Sequence, residues 1–417
     1  MVKLVAFHLP QFHPTPENDL WWGKGFTEWT NVTKAAPAFD GHYQPHLPAD
    51  LGYYDLRLKA SRLEQIFLAR SHGVDAFCFH YYWFNGKRLL HEPVDAFVRD
   101  PDHDFPFCLS WANENWTRRW DAAEHEVLIS QTYTAESEIA LIDGLIAVFR
   151  DPRYLRVDGK PFFMVYRPQH LPNAAATLER WRKRCMESGI GEVHFACALI
   201  HGNQDHTQFG FDSGVEFPPH NLGIQNVNKD VRVSESFSGN IFRYEDVARS
   251  FLRRDYDGRH VYRTVFPSWD NTARVGQRAL LVLNGTPENY EYWLSQTIRG
   301  AESRGDDLVF VNAWNEWAEG CHLEPDRRHG SGFLEATRRA TSGASVTSDF
   351  VHQGVPDGSD QTIRRFLPEL GALVRYHARL RFADMKALVR KYPRLHAIAL
   401  GARDAIARLK LRRFDTH

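Results

Sequence analysis

Apolar residues fall along this chain in short contiguous runs, at 3–8, 74–80, 105–111, 161–166, 194–199, 213–217, 260–266 and 308–313. Runs of this length without polar alternation suit strands buried on both faces, as in a parallel sheet covered by helices. Between several of them the apolar spacing becomes helical. Residues 55–71 place Leu56, Leu63, Ile66, Phe67 and Ala69 on one side, and 136–149, 174–187 and 287–302 behave alike. The last follows Gly285-Thr286-Pro287, a cap and a first-turn proline. Eight strands alternating with helices predict an α/β fold, a (β/α)8 TIM barrel with enlarged loops over residues 1–340. The polar, irregular stretch 202–247 leaves the fifth to seventh units with the weakest pattern. A doubly wound open sheet is the competing arrangement, but no Gly-x-Gly-x-x-Gly follows the first strand. Residues 341–360, small and polar, read as a linker, and 361–417 as a helical C-terminal extension.

Barrel active sites form at the C-terminal strand ends. Seven of the eight expected ends offer candidates: His8 and Gln11; His80, Tyr82 and Trp83; Trp111, Asn113 and Glu114; Tyr166; Glu216; Trp269 and Asp270; and Asn315, Glu316, Trp317 and Glu319. The final set is the most informative. Glu316 and Glu319 follow a buried run and are fenced by Trp314 and Trp317. Ionising a carboxylate against aromatic rings is unfavourable, and neighbouring negative charge separates two pKa values, which divides the roles of acid and base.

Composition narrows the chemistry. The chain is 43% hydrophobic and 25% charged, as soluble globular proteins are. Twelve tryptophans, many of them in loops, suit stacking on the apolar faces of sugars. Trp22 and Trp29 join the strand-end aromatics as stacking candidates, with core packing under long loops as the competing account of each. A net charge of -1 argues against a nucleic-acid-binding body. The 21 histidines include His8, His13, His42, His46 and His80 near the start, none in a His-x-His or His-Glu-x-x-His arrangement, so we expect neither metal nor cofactor. No Gly-x-Ser-x-Gly elbow marks a serine hydrolase. Paired carboxylates amid aromatics, amides and histidines point instead to an oligo- or polysaccharide substrate and to glycosidic-bond chemistry.

The five cysteines show no Cys-x-x-Cys spacing and read as reduced core residues. The start of the chain, broken by His8 and Pro10, lacks a signal-peptide core, so a cytoplasmic location is expected. Residues 361–417 hold 14 Lys and Arg against 4 Asp and Glu. Basic residues there either line the wet face of helices or attach the protein peripherally to the anionic inner membrane.

Longer strings carry a family resemblance. They are Ala6-Phe7-His8-Leu9-Pro10-Gln11-Phe12-His13, Trp21-Trp22-Gly23-Lys24-Gly25-Phe26-Thr27-Glu28-Trp29, Gly41-His42-Tyr43-Gln44-Pro45, Tyr82-Trp83-Phe84-Asn85-Gly86, Trp111-Ala112-Asn113-Glu114-Asn115-Trp116, Asp158-Gly159-Lys160-Pro161, Pro267-Ser268-Trp269-Asp270-Asn271, and residues 315–325. With them the chain resembles the WbsX-type proteins of bacterial polysaccharide gene clusters, which belong with the barrels like glycoside hydrolase family 99. The resemblance implies a (β/α)8 fold and a retaining glycosidase. Glu316 would be the base, acting on the sugar's own 2-hydroxyl through a 1,2-anhydro intermediate, and Glu319 the acid/base. Ala318 stands where those hydrolases often have His, which bears on substrate identity. The WbsX label itself implies a glycosyltransferase of O-antigen or lipopolysaccharide biosynthesis as the alternative, and a catalytically inactive glycan-binding barrel is a third reading.

Overall fold

The structure is a computed structural model that describes residues 2–351, apart from 40, 119–122, 232, 234–235 and 346. The extension expected at 361–417 lies outside the described residues, as does the second half of the segment read as a linker.

The barrel staves are β1 (Lys3–His8), β2 (Ala76–Phe84), β3 (Phe107–Trp111), β4 (Lys160–Val165), β5 (His194–Leu199), β6 (Ser213–Glu216), β7 (Val261–Tyr262 continuing as Thr264–Val265) and β8 (Leu308–Val311). Each hydrogen-bonds in parallel to the next, and β8 returns to β1 with Val5 opposite Phe310. β7 pairs with β6 through its first half and with β8 through its second. The ring of eight therefore closes, and the barrel expectation holds. Nearly every residue of these strands is buried, which is why each reads as an unbroken apolar run. At the break in β7, buried Glu216 accepts from Arg263 Nη1 (2.8 Å) and Tyr256 Oη (2.9 Å). That carboxylate braces the barrel wall.

The helices are α1 (Pro16–Trp22), α2 (Glu28–Lys34), α3 (Lys59–Ser71), α4 (Glu92–Arg99), α5 (Ala135–Phe149), α6 (Ala174–Glu187), α7 (Tyr244–Leu252), α8 (Thr272–Val275), α9 (Pro287–Arg304) and α10 (Gly332–Thr341). Their starts follow local chemistry. Asn173 caps α6 by accepting from Ala176 N–H, and Thr286 caps α9 ahead of Pro287. α3 begins at Lys59, four residues later than its apolar pattern, because the Asp55 carboxylate accepts from Arg57 N–H and holds a turn there. The stretch 202–247 supplies a 3-10 turn (Thr207–Phe209), β6, an outer strand (Asn240–Arg243) and the start of α7. That outer strand pairs with Leu280–Leu283, which pairs in turn with Trp269–Asp270. This small sheet sets the path of the chain into α8. Phe350, inside the stretch read as a linker, is buried against Tyr292 of α9. Among the described residues, no helix is long and apolar enough to cross a membrane.

Candidate active site

Glu316 and Glu319 owe their orientation to a tight hairpin. Asn315–Glu316 pairs antiparallel with Cys321–His322, and Trp317–Glu319 between them forms a 3-10 turn. Side chains three apart eclipse in such a turn, so the Glu-x-x-Glu spacing sends both carboxylates to one side. Gly320 closes the hairpin at φ +57°, and a Cβ there would stand 2.9 Å from the Asp270 carbonyl oxygen. Only glycine meets both demands.

Both carboxylates face a cavity of ≈360 Å³ at the C-terminal mouth of the barrel. Between them stands Arg274, from α8. Its Nη1 donates to Glu319 Oε1 (2.6 Å), and its Nη2 donates to Glu316 Oε2 (2.7 Å) and to Glu28 Oε1 (2.6 Å). Glu28, the first residue of α2, is fully buried, while the Glu319 side chain keeps 20% of its surface exposed. His80 Nε2 lies 3.7 Å from Glu316 Oε1. One guanidinium thus serves three carboxylates in a site largely closed to water. Fully ionised, three carboxylates around one guanidinium would leave a net charge of −2, so the cluster retains a proton. Burial raises Glu319 to about 8, with Glu316 and Glu28 adding to the shift and Arg274 opposing it. Glu28 is also raised, first by burial. Burial and Arg274 hold His80 down to about 4, so it presents a neutral ring.

Of the residues proposed from the sequence, the cavity brings together Gln11, Trp22, His80, Tyr82, Glu114, Tyr166, Glu316 and Glu319. Others are set into the wall. His8 faces α3 and hydrogen-bonds Gln65 (3.2 Å). Trp83 and Trp111 pack edge to face behind the barrel, with Trp111 Nε1 donating to the Trp83 carbonyl. Trp29 donates to the Tyr54 carbonyl and packs on Trp317. Asn113 braces Arg167 through both amide atoms, and Arg167 in turn pairs with Glu114 (2.6 Å). Asn315 ties its loop to Leu9 through two hydrogen bonds. Trp269 and Asp270 line a separate pocket, where Asp270 holds His42 and Gln44, each at 2.6 Å. The physical reason is alternation. Along β2, His80 and Tyr82 point into the mouth while Tyr81 and Trp83 point outward, and a strand's sequence does not say which set is which.

Trp317 also has a structural partner. Its Nε1 donates to Glu324 Oε2 (2.6 Å), which also accepts from Tyr54 Oη (2.8 Å), while Gln65 Nε2 donates to Glu324 Oε1 (2.6 Å). Burial raises Glu324 to about 7 despite these donors. This carboxylate anchors the Glu316–Glu319 hairpin from beneath. Sequence reasoning passed over Arg274, Glu28 and Glu324 as functional residues. Glu28 and Glu324 sit inside the quoted family strings, but Arg274 carries no local signal.

Residues 4–337 match the family model described as Glycosyltransferase WbsX. The chain belongs to the WbsX family. Two relatives from Xanthomonas campestris pv. campestris, strain B100 and a second strain, are 46% identical over 345 residues, and each bears the name uncharacterized protein WxcX. The match covers 82% of this chain and 50% of each relative, so the chain spans about half the length of the curated relatives it matches. Among solved structures, this WbsX barrel is similar to the family 99 endo-alpha-mannosidase from Bacteroides thetaiotaomicron. The TM-score is 0.52 at 12% identity, over 82% of this chain and 98% of that one. A glycoside hydrolase-like protein matches at 0.53 and 15% identity, over 82% of this chain and 94% of its own. What these structures share with the WbsX chain is the TIM-barrel fold.

Proposed function

We propose that this protein is a carbohydrate-active enzyme that cleaves or transglycosylates glycosidic bonds in a bacterial surface polysaccharide, such as an O-antigen or exopolysaccharide. The observation that carries the reading is the placement of Glu316 and Glu319 against one cavity, three residues apart and bridged by Arg274. With its carboxyl raised to about 8, Glu319 holds a proton at neutral pH, as an acid serving the leaving oxygen must. Glu316, held by Arg274 and next to neutral His80, is the base.

The step that the family 99 resemblance implies for this pair is internal displacement. Glu316 takes the proton of the sugar's 2-hydroxyl as that oxygen attacks the anomeric carbon. Glu319 protonates the departing glycosidic oxygen. The 1,2-anhydro ring then opens to water or to an acceptor hydroxyl, whose proton passes to Glu319 while Glu316 returns its own to the 2-oxygen. Trp22 and Tyr82 on the cavity wall supply faces for the sugar.

The family description favours a second reading, glycosyl transfer from a nucleotide-activated sugar. Incubation with the producing organism's polysaccharide, with and without nucleotide sugars, separates the two by mass spectrometry. Donor-independent shortening or exchange of chains supports the first reading. Chain growth only in the presence of a donor establishes the second.

A further inference from the structure

Behind the catalytic hairpin, three buried side chains turn ligand atoms toward one point. His46 Nδ1 lies 3.1 Å from His322 Nε2, and His322 Nε2 lies 3.9 Å from Asp326 Oδ2. All three atoms fall within 4.8 Å of one another, and the residues are 8%, 0% and 2% exposed. The backbone holds them in register. Ala49 N–H donates to the Pro325 carbonyl (3.0 Å), and Arg327 N–H donates to the Leu47 carbonyl (2.9 Å). Asp326 Oδ1 accepts from the Arg328 and His329 amides at 2.8 and 2.6 Å, which turns Oδ2 toward His322.

The hydrogen bonding fixes the chemistry of the central ring. His322 Nδ1 lies 3.0 Å from the Glu324 carbonyl, which can only accept, so Nδ1 carries the proton. In the neutral ring Nε2 then presents a lone pair. A bare nitrogen facing a second ring nitrogen and a carboxylate oxygen is an electron-rich convergence inside the protein. Ring orientation by a backbone carbonyl is also how metal-bound histidines are held. Bonds of about 2.0–2.1 Å in a tetrahedral site put ligand atoms roughly 3.3 Å apart, between the two distances seen here.

We propose that His46, His322 and Asp326 bind a divalent cation of the zinc class, with a fourth position open to solvent. Two imidazoles and one carboxylate are ligands suited to that class. His46 and Asp326 also line a neighbouring pocket of ≈140 Å³, which gives the fourth ligand, a water, its place. The cation fastens the segment around His46 to the hairpin of Glu316 and Glu319. His322 pairs with Asn315 in that hairpin and stacks on Trp317 at 3.7 Å. The sequence hides this centre because its histidines stand 276 residues apart.

The test uses the full chain, made without a histidine tag and passed through metal-depleted buffer. Elemental analysis by mass spectrometry reads bound zinc, and titration with Co²⁺ reads the visible spectrum of four-coordinate cobalt. The expected result is close to one equivalent of zinc per chain, a cobalt spectrum that saturates at one equivalent, and a melting temperature lowered by chelator. His46→Ala and Asp326→Asn should lose both signals while keeping the circular-dichroism spectrum. Should those variants fail to fold, the unaltered chain decides alone. Absence of retained metal and of any cobalt spectrum in the folded chain would overturn the proposal, leaving an N–H···N hydrogen bond to explain the 3.1 Å contact.

Discussion

Arg274 reaches Glu319 with one terminal guanidinium nitrogen at 2.6 Å while Glu28, fully buried, grips the same guanidinium from the other end. The arginine is therefore fixed from behind and shared in front, and the charge balance of Glu316 and Glu319 depends on a residue that does not line the cavity.

Removing Arg274 should expose that dependence. Arg274→Met leaves three carboxylates without their counter-ion and should destabilise the fold by about 3–5 kcal/mol, as the loss of one partner from a buried ion cluster does. Adding Glu28→Gln to that variant should recover part of the loss, because one of the stranded charges is gone. Denaturant unfolding of the two single variants and the double variant measures the coupling. Strict additivity would show that the cluster is not an energetic unit.

Stability should fall as pH rises through the neutral range, for an identifiable reason. Glu319 is raised to about 8 and Glu324 to about 7 from an ordinary value of 4.5. A carboxyl raised by folding contributes stability that is fully present below the unfolded value and is lost as pH rises through the folded one. The window is therefore about pH 4.5 to 8. Glu324→Gln and Glu319→Gln should each flatten the decline between pH 5 and 8, read as the denaturant midpoint at several pH values. Parallel curves for variant and parent would refute the assignment.

Gly320→Ala combines a strained backbone with a 2.9 Å clash against the Asp270 carbonyl. A loss of about 1–3 kcal/mol is expected. The disturbance should reach the site, because Asp270 leads directly into the helix bearing Arg274. The melting temperature and the turnover of this variant should drop together.

The basic segment 361–417 makes a separate prediction. Each Lys or Arg near an anionic membrane contributes ~1 kcal/mol, so its excess of ten is enough for peripheral attachment. The full chain should sediment with phosphatidylserine vesicles in low salt, and a chain ending at residue 360 should not. Equal sedimentation of both would place the basic residues on a solvated face instead.

The eight staves were legible because parallel strands covered on both faces leave unbroken apolar runs, as at 3–8 and 308–311. α7 was not, although Tyr244, Val247, Ala248 and Phe251 stand at helical spacing, because its nine residues lie at the end of a polar, irregular stretch. The Glu316–Glu319 spacing announced itself, since its chemistry is local to one turn. Trp83 and Trp111 were proposed beside His80 and Tyr82 because a strand end shows its residues without showing which way they point. Arg274 was invisible for a different reason. Its partners lie 246, 42 and 45 residues away, and only closure of the barrel brings them together.

The central claim is that Glu319 donates the proton that breaks a glycosidic bond. The measurement to make is mass spectrometry of the producing organism's polysaccharide after incubation, without any sugar nucleotide, with the parent protein and with Glu319→Gln. The parent should release shorter or rearranged chains, and the folded variant should be slower by about 10²–10⁴. Intact polysaccharide with the parent, or equal products from both, would contradict the claim.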